Sequence, residues 1–326
     1  MSIMRLQPEL QAALACPRCH QTSLRIEAEQ IVCTSKDCAG VYPLVDRCPI
    51  MINDDSSAFR IDDYVSRRKT TGEVSSPEPS KRSLTQVLRR VLARLTPSIS
   101  RGVSDYPSSE ALTWVKEQRG GNLRILVIGA GERVLGLDAA HTVVYTDVDL
   151  GPMTHVICDG HDVAFADGTF DVVLCLSVLE HVADPYRCAE EIHRVLKDDG
   201  FVYATTPFMQ QVHMGRYDFT RFTHLGHRRL FRRFDEIKSG VSNGPGMVLA
   251  WSIERFVSGF ARTATMRSIL RTLARMIAFP FTYFDPVLAR RPAAYDNASA
   301  YYFFGSKRDG VLSDRELVRH YRGVID

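Results

Sequence analysis

Residues 158–185 read CDGHDVAFADGTFDVVLCLSVLEHVADP. Inside this segment FDVVLCLS, residues 170–177, is a short apolar run of the length of a buried strand. PYRCAEEIHRVLKDDG follows it, an amphipathic pattern that predicts a helix from Pro185 to Gly200. Outward on both sides lie more runs of the same kind: RILVIG at 124–129, TVVYTDVD at 142–149 and GFVYATTP at 200–207. Strands alternating with helices predict an α/β fold with a parallel sheet and helices on both faces. Ligands of such sheets bind beyond the carboxyl ends of the strands. The residues at those ends are Gly129–Gly131, Asp147, Asp159, Ser177 and Pro207.

The first loop does not name its ligand. In LRILVIGAGERVLG, residues 123–136, Gly129 and Gly131 make a G-x-G turn. The dinucleotide fingerprint wants a third glycine where Val134 stands, and a phosphate loop wants Lys where Leu137 follows Gly136. Both are disfavoured. Asp147 at the end of the next strand suits a ribose diol, since a carboxylate accepts from both hydroxyls.

The matches Asp159, Gly160, Phe165, Asp167, Gly168, Phe170, Asp171, Leu179, Glu180, His181 and Pro185 follow one another in order. EIHRVLKDDGFVYATTPF comes after them. Together they resemble the class I S-adenosylmethionine-dependent methyltransferases of the type 11-like branch. The resemblance runs from about Arg124 to Phe208, and ASAYYFFGSK resembles the family's terminal strand. It implies a Rossmann-like, doubly wound, seven-stranded methyltransferase sheet. It also implies a cofactor site made by Gly129, Ala130, Gly131, Asp147, Val148, Asp159, Gly160, His161, Leu176, Ser177 and His181. In that site the glycine loop faces the methionine part, Asp147 the ribose, and Asp159 with Gly160 or His161 the adenine. Leu176 and Ser177 line the sulfonium. Asp171, at a strand start, reads as structural. Two departures stand out: Val127 replaces the usual acid, and Arg133 a common glycine. Glu132 or Arg133 is the candidate to compensate.

Near the N-terminus, CPRC at 16–19 and CTSKDC at 33–38 carry four of the eight cysteines. Two cysteine pairs on two knuckles can close a tetrahedral thiolate site. Cys16, Cys19, Cys33 and Cys38 are therefore expected to hold structural zinc, with no open position for catalysis. The stretch resembles the small zinc-ribbon modules that accompany methyltransferases. Arg47 and Cys48 stand where that family has Gly and Ile, so a different last turn is expected. Cys48, Cys158, Cys175 and Cys188 read as packing residues.

After the last motif strand, PFMQQVHMGRYDFTRFTHLGHRRLFRRF gathers His213, Tyr217, Asp218, Arg221, Phe222, Thr223 and His224. Methyl transfer to oxygen benefits from a base, and His213 or Asp218 is the candidate catalytic group. The alternative is that Asp218 and Arg221 pair to pin the loop. Helices between Trp251 and Arg291 carry several arginines and almost no acid. A lid over the acceptor pocket is the preferred reading, with peripheral membrane contact the alternative.

The expected organisation is a zinc-ribbon-like module at 10–53, a linker and helix at 54–105 and a methyltransferase domain at 106–310. A helical insertion falls at about 245–291, and a tail at 311–326. The polar tract 54–83 reads as the linker, and SLTQVLRRVLARL as the helix after it. The 326 residues carry a net charge of +3 and an apolar fraction of 45%, which does not demand a nucleic-acid partner. No secretory signal and no spanning helix are expected, and the location reads as cytoplasmic. The expected partner is a small-molecule, sugar or lipid-linked acceptor. An RNA methyltransferase or a decayed cofactor-binding subunit are the competing functions. The acceptor and the oligomeric state are not legible.

Overall fold

The computed structural model describes residues 3–71, 96–131, 135–137 and 140–325. A short helix, α1 (Pro8–Gln11), leads into four strands: β1 (Leu24–Ile26), β2 (Gln30–Cys33), β3 (Val41–Val45) and β4 (Cys48–Met51). They pair as an antiparallel meander. The β3–β4 turn places both Asp46 and Arg47 at positive φ, 50° and 65°. That is the backbone of the tightest hairpin turns, in which glycine is favoured at the second position. Arg47 adopts this backbone although it carries a side chain.

Helices α2 (Ile61–Thr71) and α3 (Ser108–Arg119) precede the main sheet. Its strands are β5 (Arg124–Ile128), β6 (Thr142–Asp147), β7 (Val156–Cys158), β8 (Phe170–Leu176), β9 (Leu196–Pro207), β10 (Phe234–Asn243) and β11 (Ala300–Lys307). The order is β7-β6-β5-β8-β9-β11-β10, parallel except for β11, which runs antiparallel to both neighbours. The chain steps outward from β5 through β6 and β7, then returns to β8 on the other side. In sheets of this kind ligands bind in the crevice at the carboxyl ends around that reversal.

Successive residues of β5 face opposite layers, as the period of two requires. Ile125 and Val127 join Leu112 and Val115 of α3 in one buried layer. Leu126 and Ile128 join the other, with Ile192 and Val195 of α4 (Pro185–Val195). Val127 is therefore a core residue, buried among side chains that would not tolerate a lone carboxylate.

The four-cysteine module is built into this sheet. β4 pairs in parallel with β7, Ile50 opposite Ile157 and Met51 opposite Cys158, which makes one sheet of eleven strands. Leu10, Leu14 and Ile31 of the module share a core with Val144, Val156 and Phe165.

Two expectations need correction. The tract from residue 54 is not a free linker over its first part: Ser56 and Ser57 hydrogen-bond to Asp162 and Asp159, and Tyr64 of α2 to Val148. Its polar side chains satisfy buried carboxylates instead of solvent. Helix α4 ends at Val195, not Gly200, because Leu196 turns extended and pairs with Phe170. Strand β10 supplies the seventh strand of the implied sheet, but it carries no clear alternation and was not located from the sequence. The helix expected over SLTQVLRRVLARL and the loop residues Glu132, Arg133 and Val134 lie outside the described residues.

Helix α5 (His224–Leu230) follows the β9 loop. Between β10 and β11 come α6 (Pro245–Ser258), α7 (Ala264–Ala278) and the short α8 (Asp285–Leu288) and α9 (Ala294–Asn297).

Candidate functional site

Strand β5 runs into a turn with Gly129 at φ +66° and Gly131 at φ +55°. A Cβ on Gly129 would clash with Cγ2 of Val178, so both backbone and space require glycine there. The turn is tied to β6: Ala130 N donates to Thr146 O at 3.1 Å, and Gly131 N to Oδ2 of Asp147 at 2.6 Å. The other oxygen of Asp147 accepts from Asp149 N at 2.9 Å. Val148 follows, and its carbonyl accepts from Tyr64 Oη at 2.6 Å.

At the end of β7 the carboxylate of Asp159 is buried. Its Oδ1 accepts from the His161 ring at 2.6 Å and from His161 N at 3.1 Å, and its Oδ2 from Ser57 Oγ at 2.5 Å. Burial opposes its charge, but the His161 and Ser57 hydrogen bonds overcome this and hold the carboxyl below its usual range. His161 Nε2 in turn accepts from Asp184 N at 3.0 Å. Gly160 is close-packed, since a Cβ there would meet Cys188 Sγ at 3.1 Å. Asp162 beside it accepts from Ser56 Oγ at 2.6 Å and Asn53 Nδ2 at 3.2 Å, and pairs with Arg187.

Leu176 ends β8, and Ser177 after it carries φ +59°. Left-handed backbone at a non-glycine residue is costly and concentrates at functional sites. Ser177 is held there by its N–H to Thr205 O at 2.9 Å.

Glu180, His181 and the loop after β9 come together next. His181 Nδ1 donates to Tyr217 O at 2.9 Å, and its Nε2 lies 3.6 Å from Oε1 of Glu180. Burial pushes His181 below the usual histidine range. His213 Nε2 lies 4.0 Å from the same Glu180 oxygen, and the two imidazoles meet edge to face at 4.8 Å. One donor atom from each of Glu180, His181 and His213 falls within 4.8 Å of the others, a spacing that can gather a proton or a cation.

Asp218 is an anchor. Both its oxygens face Arg221, and Oδ2 accepts His213 N at 2.9 Å. The Arg221 guanidinium holds its carboxyl well below the usual range, so it is a poor base. It faces His213 Nδ1 at 3.4 Å. Thr223 caps α5, and His224 is buried against Tyr295 and Tyr301, away from this cluster. Sequence reasoning did not single out Glu180 as a site residue, although it adjoins His181. It missed Ser57, Phe59 and Tyr64 altogether. The Phe59 ring stacks on Tyr217 at 5.5 Å, so one short segment after the cysteine module touches both sides of the crevice.

The four N-terminal cysteines converge. Cys16 and Cys38 sulfurs lie 3.6 Å apart, and Cys19 and Cys33 sulfurs 3.7 Å. Thiolates at about 2.3 Å from a tetrahedral zinc lie about 3.8 Å from each other, so the set fits that ion. Tyr42 Oη stands 3.0 Å from Cys16 Sγ and supports it from behind. Cys48, Cys158, Cys175 and Cys188 are buried, and burial pushes the Cys48 and Cys158 thiols up to about 12.

Residues 119–204 match the family described as a methyltransferase domain. The ubiquinone biosynthesis O-methyltransferase of Pseudomonas aeruginosa is 31% identical over 114 residues, covering 29% of this chain and 49% of that protein. An uncharacterized methyltransferase of Mycolicibacterium gilvum is 35% identical over 94 residues, covering 24% of this chain and 37% of that one. The chain thus spans about half the length, or less, of these curated relatives. Among solved structures, Burkholderia thailandensis 1,6-didemethyltoxoflavin-N1-methyltransferase aligns with a TM-score of 0.38 at 13% identity, covering 86% of this chain and 100% of that one.

Proposed function

We propose that this chain, whose residues 119–204 match a methyltransferase domain, is a class I S-adenosylmethionine-dependent methyltransferase of a small-molecule, sugar or lipid-linked acceptor. One observation carries the reading: Asp147 and Asp159 end neighbouring strands beside the Gly129–Gly131 turn, and Gly131 N is bonded to Asp147. Bound there, S-adenosylmethionine supplies an electrophilic methyl on its sulfonium.

In this reading the turn, with Ala130, passes under the methionine part. Asp147 and Val148 meet the ribose. Asp159 keeps a lone pair on Oδ2 beside the Ser57 hydrogen bond, which suits an adenine amino group. Gly160 and His161 complete that wall. Leu176, Ser177 and His181 line the methyl end. His213 accepts the proton of a hydroxyl acceptor, and Asp218 orients it. Cys16, Cys19, Cys33 and Cys38 hold structural zinc. The oxygen acceptor is favoured by a histidine pair beside a buried carboxylate, an arrangement that can take up a proton.

Calorimetry with S-adenosylmethionine and S-adenosylhomocysteine tests it. Binding below millimolar levels, weakened by Asp147→Ala, is the expected result. No binding of either compound would reject the enzyme and leave a decayed subunit, for which Val127 is the reason.

A further inference from the structure

Helix α7 is packed inside out. Its face toward the protein buries the small side chains Ala274 and Ala278, 1% and 0% exposed. Its other face leaves Leu273 and Ile277 51% and 67% exposed. Met266, Ile269 and Met276 are exposed too, and at these spacings all five share one stripe of the helix. Exposed apolar side chains continue beyond it at Tyr283, Phe284 and Val287. On α6, Phe256 is 72% exposed. An exposed apolar stripe of this kind on one helix marks an interaction site.

The charge around it has one sign. Residues 255–284 contain five arginines and no acid. Arg271 and Arg275 turn inward to Glu254 of α6. Arg255, Arg262 and Arg267 are exposed at the border. Apolar side chains flanked by arginines on a helix surface suit the boundary of an anionic bilayer, with the hydrocarbon taking the stripe and the phosphates the guanidinium groups. Among the described residues no helix is long and apolar enough to cross a membrane, so such a contact lies on the surface.

We propose that the exposed face of α7, with the arginines at its border, docks on an anionic lipid surface. The docked hairpin adjoins the crevice: Ser252 of α6 accepts from Gln211 Nε2 at 3.0 Å, and Arg255 donates to Val212 O at 3.3 Å, beside His213. Lipid contact and a lipid-linked acceptor would then approach from one side. The docking itself does not depend on the methyltransferase reading.

The test is sedimentation of the full chain with vesicles of phosphatidylcholine alone or with about a third phosphatidylglycerol. The expected result is pelleting with the mixed vesicles and not with the neutral ones. Leu273→Ser/Ile277→Ser should lower the bound fraction at least ten-fold, and Arg262→Glu/Arg267→Glu should abolish the anionic preference. Unchanged thermal midpoints would show that both variants remain folded. Wild type that stays in solution overturns the proposal, as does equal pelleting with neutral vesicles. Light scattering that shows a wild-type dimer split by Leu273→Ser/Ile277→Ser assigns the face to a second copy and overturns it as well.

Discussion

Ser57 Oγ lies 2.5 Å from Oδ2 of Asp159, across 102 residues of chain. The hydroxyl comes from the segment that leaves the cysteine module, and the carboxylate from the end of β7. The parallel pairing of β4 with β7 brings them together. On the proposed function, Ser57 is a positioning residue for the adenine edge. Ser57→Ala should weaken S-adenosylhomocysteine binding by about 1–2 kcal/mol, or roughly five- to thirty-fold. Ser57→Thr should recover part of it. Calorimetry decides, with the metal content of each variant as the control. Equal affinity in Ser57→Ala and wild type would disconnect the module from the crevice.

The same pairing gives metal loss a reach beyond the ribbon. On the proposed zinc site, Cys19→Ser or Cys33→Ser should lower the zinc content from about one per chain and destabilise the module, whose strands are short. Because Met51 pairs with Cys158 next to Asp159, cofactor affinity should fall with it. Elemental analysis after dialysis and thermal unfolding are the readouts. Full stability and cofactor affinity in a chain stripped of metal would contradict the coupling.

In the crevice, His213 and Asp218 should separate kinetically. His213→Ala is expected to lower kcat by about 10²–10⁴ with an oxygen acceptor and leave cofactor affinity near wild type. Asp218→Asn keeps the shape but weakens the Arg221 pair, and should cost less. A His213→Ala enzyme with wild-type kcat would remove it as the base.

Much of the main sheet was legible because β5, β6, β8 and the second half of β9 are largely apolar runs, the signature of strands buried on both faces. Asp147 and Asp159 were legible because they end such runs. Ser57 was not, because nothing local in a polar tract reveals that its partner is a carboxylate on another strand. The edge pairing of β4 with β7 was equally hidden: CPIM reads the same whether or not a parallel neighbour is present. Asp218 was read as either base or anchor, and only the two-oxygen contact with Arg221 separates the two.

The β3–β4 turn offers a stabilising change. Arg47 holds φ +65°, which costs a side-chain-bearing residue about 1 kcal/mol or more relative to glycine. Its backbone carbonyl accepts from Arg5 N at 2.9 Å, a contact that glycine preserves. Arg47→Gly should raise the thermal midpoint by a few degrees without altering metal content. A lower midpoint would mean that the arginine side chain contributes more than its backbone costs.

Acid should destabilise the fold through two buried histidines of α5. Burial holds His227 down to about 3 and His224 to about 4. His227 Nε2 and His224 Nδ1 are buried without a hydrogen-bond partner among the described residues. In the unfolded chain both titrate near about 6.5. Below that pH the unfolded chain therefore binds protons that the folded chain refuses, and stability falls as pH drops from about 6.5 toward 4. Each ring can cost up to about 1.4 kcal/mol per pH unit inside that window, and nothing above it. Urea midpoints at pH 7.5, 6 and 5 should show this slope, and His227→Phe should reduce it. The replacement ring can keep the contacts with Phe231 and Tyr301 while removing the site of protonation. A variant whose midpoint falls as steeply as wild type would place the acid sensitivity elsewhere.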